Sequence, residues 1–197
     1  MSEVLHGPDY FPHIKPEGDM TAQAFVSGPH GGAQGARLAY LLSFAAARKS
    51  IRISHAYFVP DKLVIKALCD ARKRGVKVEV IFPNKIDNKA VKKAGWSRLR
   101  PLLEAGVEFH EYQKTLYHCK IVVVDDVWSM VGSVNFDDRS LRINDEANMN
   151  VLHRGFAAQL IESFEADKRE SKRLTLEEFK TRNPLSKFFD HSAGALG

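Results

Sequence analysis

Cysteine is scarce in this chain: two residues in 197, Cys69 and Cys119. They form no C-x-x-C pair and no zinc-ligand spacing, which leaves out a disulfide scaffold and a cysteine-rich metal fold. No apolar run approaches the roughly 18 residues of a membrane-spanning helix, so no span is expected. The start, Met1-Ser-Glu-Val-Leu-His-Gly-Pro8, has neither a basic n-region nor an apolar h-region, and no signal peptide is expected there. What remains is 44% hydrophobic and 27% charged, which fits one globular unit with a sizeable core. The formal net charge of +5 favours an anionic partner, such as acidic lipid headgroups or nucleic acid.

The residues that carry chemistry lie in Tyr117-His-Cys-Lys-Ile-Val-Val-Val-Asp125, followed by Gly132-Ser-Val-Asn135. The pattern is His-x-Lys, four residues, Asp, then Gly-Ser-x-Asn. Strand side chains alternate with period two, so His118 and Lys120 face the same way and Cys119 faces the other. An imidazole beside an ammonium suits attack on a phosphodiester without a metal. The histidine serves as nucleophile or proton donor, and the lysine neutralises phosphoryl oxygens. Asp125 has the opposite parity to Lys120 and sits at a turn, which predicts a structural or charge-balancing role. Ser133 and Asn135 share a parity and can aim at one pocket. A second near-match, His13-Ile-Lys15 with Asp19, is one residue short and is broken by Pro16 and Gly18. One such motif is therefore expected, not two.

Around the motif, helices alternate with strands. Apolar residues at helical spacing predict a helix over 36–49. A strand is expected over 51–56, then a helix capped by Asp61 and ended at Gly75. Further strands are expected at 76–80 and 107–112, and a helix over 90–105 closed by Gly106. A hairpin is expected with strands 118–124 and 127–131 around Asp125-Asp126. A helix over 155–171 follows. Thr175 with Glu178 forms a capping-box pattern for a short final helix. These elements predict an α/β sandwich with a mixed sheet. Residues 1–34 are expected to be an irregular lead-in or linker, 35–173 the catalytic domain and 174–197 a helical tail. On the 90–105 helix, Lys89, Lys92, Lys93, Trp96 and Arg100 would share a face that suits an anionic membrane surface, a phosphate backbone or plain solvent. His55, His110 and His153 are read as ordinary buried residues.

These residues resemble the HKD motif of the phospholipase D superfamily, and more narrowly the C-terminal half of a bacterial cardiolipin synthase. Further matching stretches are Ala56-Tyr-Phe-Val-Pro-Asp61, Leu102-Leu-Glu-Ala-Gly-Val107, Asn135-Phe-Asp-Asp-Arg-Ser140, Asn144-Asp-Glu146 and Leu174-Thr-Leu-Glu-Glu178. The resemblance implies a phospholipase D-like fold holding one HKD half. It implies phosphodiester transfer through a phosphohistidine, with no metal and no cofactor. His118 would be the general acid/base if the chain is a second half. Lys120 and Asn135 would bind phosphoryl oxygens with help from Ser133, and Glu146 would hydrogen-bond a catalytic histidine. Tyr57 matches an aromatic position that faces either pocket or core. The implied substrate is an anionic phospholipid, phosphatidylglycerol, at a bacterial cytoplasmic membrane surface. The second HKD motif would come from a homodimer mate or an upstream half. Two other readings stand beside this one: a homodimeric, metal-independent phosphodiesterase acting on nucleic acid, and a half that is inert without its complement.

Overall fold

The computed structural model describes residues 6–28, 35–85, 95–137, 140–141 and 144–182. The described elements are β1 (Thr21–Ser27), α1 (Gly35–Ala46), β2 (Ser50–His55), α2 (Lys62–Lys73), β3 (Lys77–Pro83), α3 (Arg100–Glu104), β4 (Glu108–Tyr112), β5 (Lys120–Val124), β6 (Trp128–Gly132), β7 (Glu146–Leu152), α4 (Arg154–Arg169), β8 (Ser171–Leu174) and α5 (Leu176–Arg182). Eight strands form one sheet in the order β1-β7-β6-β5-β2-β3-β4-β8. The β2–β3 and β3–β4 pairs are parallel and the other pairs antiparallel, so the sheet is mixed as its alternating elements predict.

Both faces of the sheet are covered by helices. Ile51, Ile53, Val78, Val80, Phe109, Val122 and Met130 point toward α1 and α2 and meet Tyr40, Phe44, Val64 and Leu68 in the main core. The opposite parity, with Ile81, packs on Phe164 of α4. Strands whose two faces are both buried read as near-continuous apolar runs, and β5 (Lys-Ile-Val-Val-Val) is one.

Local signals set the element ends. Asp61 accepts from the Leu63 and Val64 N–H groups and caps α2. At the other end of α2, Gly75 adopts φ +85, a left-handed conformation that glycine enters without a Cβ penalty. Asp125 and Asp126 both have positive φ, 52° and 58°, as a two-residue primed hairpin turn requires. Thr175 and Glu178 exchange capping-box hydrogen bonds at the start of α5.

Several elements differ from expectation. Thr21–Ser27, inside the expected irregular lead-in, is an edge strand paired along its whole length with β7. The expected 90–105 helix is helical at 95–98 and then breaks at Leu99 before α3. Pro101 explains the break: it lacks an N–H and its ring crowds the carbonyl four residues back. Lys89, Lys92 and Lys93 lie outside the described residues. Trp96 stacks on Phe179 of α5 at 5.3 Å, and Arg100 pairs with Glu104. β8 runs through the expected boundary at 173/174, and both Leu174 and Phe179 are core residues.

Candidate active site

One end of the sheet gathers the motif. There β5 begins, β6 ends, β7 begins and β2 ends, so His118, Ser133, Glu146 and His55 come from four neighbouring strands. His118 stands just before β5 and is exposed, whereas Lys120 is buried at 8% exposure. The Lys120 Nζ lies 3.2 Å from Nδ1 and 3.4 Å from Nε2 of His118. It also lies 5.9 Å from the centre of the Tyr57 ring, whose edge meets the His118 ring at the same distance. Tyr57 therefore borders the His118–Lys120 pair, which decides between the pocket and core readings.

Burial pushes the Lys120 ammonium below its ordinary pKa, while Cys119, Glu146 and Asp137 push back. Glu146 is buried at 8% exposure. One of its oxygens accepts the Ser133 hydroxyl, and the other accepts the Asn144 amide at 3.2 Å. Ser133 in turn accepts from the Ala147 N–H at 3.0 Å. Among the described residues the Glu146 carboxylate organises Ser133 and Asn144. Asn135 reaches Ser140 at 3.4 Å with its amide nitrogen, and its buried Oδ1 has no hydrogen-bond partner among the described residues. Gly132 has a steric reason to be glycine. A Cβ there would sit 2.2 Å from the Ala147 carbonyl oxygen on β7.

Asp125 is not at this site. It lies at the far end of β5 and accepts the backbone N–H groups of Arg48 (2.8 Å), Lys49 (2.7 Å) and Ser50 (3.0 Å). Partial burial raises its pKa, but these three donors outweigh that and hold the carboxylate below its usual range. The structural role that its parity suggests is the one its contacts support. Cys119 packs on the α4 face with Ile81, Tyr117 and Phe164, and burial pushes its thiol pKa up.

Two residues at or near the site escape a reading of the sequence. His55 pairs in register with Lys120 and is fully buried against Phe136, with ring centres 4.5 Å apart. It is buried as expected, and among the described residues its ring nitrogens have no strong hydrogen-bond partner, only a weak contact to the Tyr57 backbone. Burial and then the Lys120 charge lower its pKa to about 3. Only the strand register could have found it. Asp137 is the second: it accepts from the Ser140 N–H at 2.9 Å and lies near enough to bias Lys120. Elsewhere, His153 is neither core nor catalytic. Its Nδ1 accepts from Phe156 N–H and caps α4. His110 is buried as expected, with Nε2 unpartnered.

Among the described residues, Glu79, Glu108 and His110 have metal-ligand spacing. They lie on the opposite sheet face from Lys120, under α4. Lys168 and Lys77 already occupy the Glu79 carboxylate, so the cluster reads as an ion-pair network rather than a metal centre.

Comparisons with known proteins agree with this geometry. Residues 41–168 match the family described as "Cardiolipin synthase, PLD-like domain". Minor cardiolipin synthase ClsB of Bacillus subtilis is 36% identical over 143 residues, covering 73% of this chain and 36% of the relative. Cardiolipin synthase 2 of Staphylococcus epidermidis is 36% identical over 179 residues, covering 91% and 37%. The chain thus spans little more than a third of the length of the curated relatives it matches. Among solved structures, Nuc from Salmonella typhimurium, a phospholipase D family member, superposes with TM-score 0.68 at 23% identity, covering 80% of this chain and 99% of that one. The phosphatidylserine synthase of Haemophilus influenzae gives TM-score 0.68 at 17% identity, covering 92% and 47%. With one His-x-Lys pair at the end of a mixed sheet, and with the family match running from α1 into α4, this chain belongs to the PLD-like domain family of cardiolipin synthase.

Proposed function

We propose that this chain supplies one of the two HKD motifs of a phosphatidyltransferase, and that phosphatidylglycerol is the substrate. The observation that carries the reading is the exposed imidazole of His118 beside the buried Lys120 ammonium, 3.2 Å away. Phosphodiester transfer through histidine needs two imidazoles. One attacks phosphorus, forming a P–N bond as the P–O bond to the leaving glycerol breaks. The other gives that oxygen its proton, then takes a proton from the incoming hydroxyl of a second phosphatidylglycerol. That oxygen displaces the histidine and closes the new phosphodiester; water in its place gives phosphatidic acid. His118 takes the acid/base role if this chain is the second half, and Lys120 and Asn135 hold the phosphoryl oxygens. The Asn135 amide nitrogen, held near Ser140 at 3.4 Å, is the donor that reaches a phosphoryl oxygen. Glu146, through Ser133, fixes the strand end that carries this set. The second motif comes from an upstream half or a homodimer mate.

The length and names of the curated relatives support the lipid reading over nucleic acid. Peripheral attachment to the bacterial cytoplasmic membrane accompanies it; no helix among the described residues is long and apolar enough to cross a membrane. The test is turnover of phosphatidylglycerol in detergent micelles by the full-length protein with EDTA present. Cardiolipin or phosphatidic acid should form, and His118→Ala should lower the rate by about 10²–10⁴-fold, the range for a general acid/base. Turnover retained in that variant sinks the assignment. Cleavage of DNA but not of lipid would move the chain to the nucleic-acid reading.

A further inference from the structure

A cavity of about 530 Å³ lies toward the His118 end of the sheet without sharing a residue with the site. Its walls come from the N-terminal turns of α1 and α2 and from the stretch that leads into α3. Among the described residues, three cations line it (Arg37, Lys62 and Arg98) with one carboxylate, Asp61. That carboxylate is committed elsewhere. One oxygen caps α2, and the other pairs with the Arg37 Nε at 2.7 Å. Arg98 donates to the Pro60 carbonyl at 3.0 Å, which anchors its guanidinium at the wall. Lys62 is exposed at the first position of α2. The described lining residues therefore carry three positive charges and one negative, and that carboxylate is shared between the α2 N-terminus and Arg37. Ile65 and Pro101 add apolar wall, and Ser97 adds a hydroxyl.

The topology gives the cavity a direction. β1 and β2 both run toward the His118 end of the sheet, so α1 and α2 both start at that end. The same end exposes three leucines: Leu38 (55%) in the first turn of α1, Leu63 (47%) beside Lys62, and Leu116 (51%) two residues before His118. Basic groups mixed with exposed apolar side chains around one end suit an anionic lipid surface.

We infer that this cavity is a second anion site, which binds the phosphate of an anionic phospholipid headgroup and seats the His118 end of the domain on the membrane. The inference takes only the lipid source of the phosphate from the catalytic reading. Its test needs no turnover, so the two can fail separately.

The test is flotation of the full-length protein with phosphatidylcholine vesicles, with and without phosphatidylglycerol. Lys62→Gln should weaken binding to the phosphatidylglycerol vesicles by about fivefold, the share of one basic residue near an anionic leaflet. Its melting temperature should stay unchanged. Lys73→Gln, which removes the same charge at the far end of α2, should do less. His118→Ala should bind like the parent and keep the Lys62 dependence. Equal losses in the Lys62 and Lys73 variants would reduce the effect to general charge and overturn the site. Calorimetric titration with glycerol 3-phosphate separates the phosphate's source. Saturable, Lys62-dependent binding of the soluble phosphate, with no difference on vesicles, would overturn the lipid assignment. No Lys62 dependence in either assay would overturn the anion site itself.

Discussion

His55 on β2 and Lys120 on β5 face one another across a single rung of the sheet, and the buried imidazole there is held neutral. An ordinary histidine in the unfolded chain titrates near 6.5, whereas burial and the Lys120 charge bring His55 down to about 3. Between these values the unfolded chain binds a proton that the folded chain refuses. The folded state therefore loses stability as pH falls from 6.5 toward 3, by up to about 1.4 kcal/mol per pH unit. His55→Phe should remove this dependence, because the ring packs on Phe136 without a titrating group. Urea unfolding at neutral and mildly acidic pH checks it; an unchanged slope in the variant refutes it.

Asp125 should matter to stability and not to rate. It lies seven residues from His118, about 23 Å along an extended strand. Asp125→Asn replaces a carboxylate that accepts three backbone N–H groups and should cost about 2 kcal/mol at neutral pH. Its folded pKa is depressed, so its contribution is present above the ordinary carboxylate value of 3.8 and is lost as pH falls through the lower folded value. The stability gap between parent and variant should thus close only in strong acid. The rate per folded molecule should be unchanged.

Glu146→Gln tests the carboxylate that steadies Ser133 and counters the burial of Lys120. Removing its charge takes away a group that raises the Lys120 pKa. The lysine should then lose its proton more readily, and the alkaline limb of the rate profile should move to lower pH. The rate near neutrality should fall about tenfold or more, since charge stabilisation at phosphorus weakens. A pH–rate profile of the full-length variant reads both, and an unmoved alkaline limb would contradict this role.

Phe179 measures where the folded unit ends. It is 1% exposed and stacks on Trp96, although it lies beyond residue 173, in the stretch expected to be a helical tail. Phe179→Ala should destabilise the domain by about 3–5 kcal/mol, the range for emptying a core phenylalanine site. Chemical denaturation should show a lower midpoint with the slope preserved. A change under about 1 kcal/mol would make α5 an appendage.

By itself the sequence determined the periodic elements and the motif. Period-two alternation put His118 and Lys120 on one face and Cys119 on the other. Asp61, Gly75 and the Asp125-Asp126 turn marked ends that depend only on local backbone chemistry. Parity and turn position together also separated Asp125 from the chemistry. Tertiary structure decided what local pattern does not encode, because partners distant in sequence choose it. Edge strand β1 is a strand because β7 offers it a ladder of hydrogen bonds, and its own residues carry no clear alternation. Glu146 serves Ser133 because the β6–β7 register brings them together. His55 meets Lys120 through the β2–β5 register, and Trp96 is turned inward by Phe179 from the other end of the fold. Such contacts are set by strand pairing and packing over 13 to 131 positions of chain, a separation at which no local propensity acts.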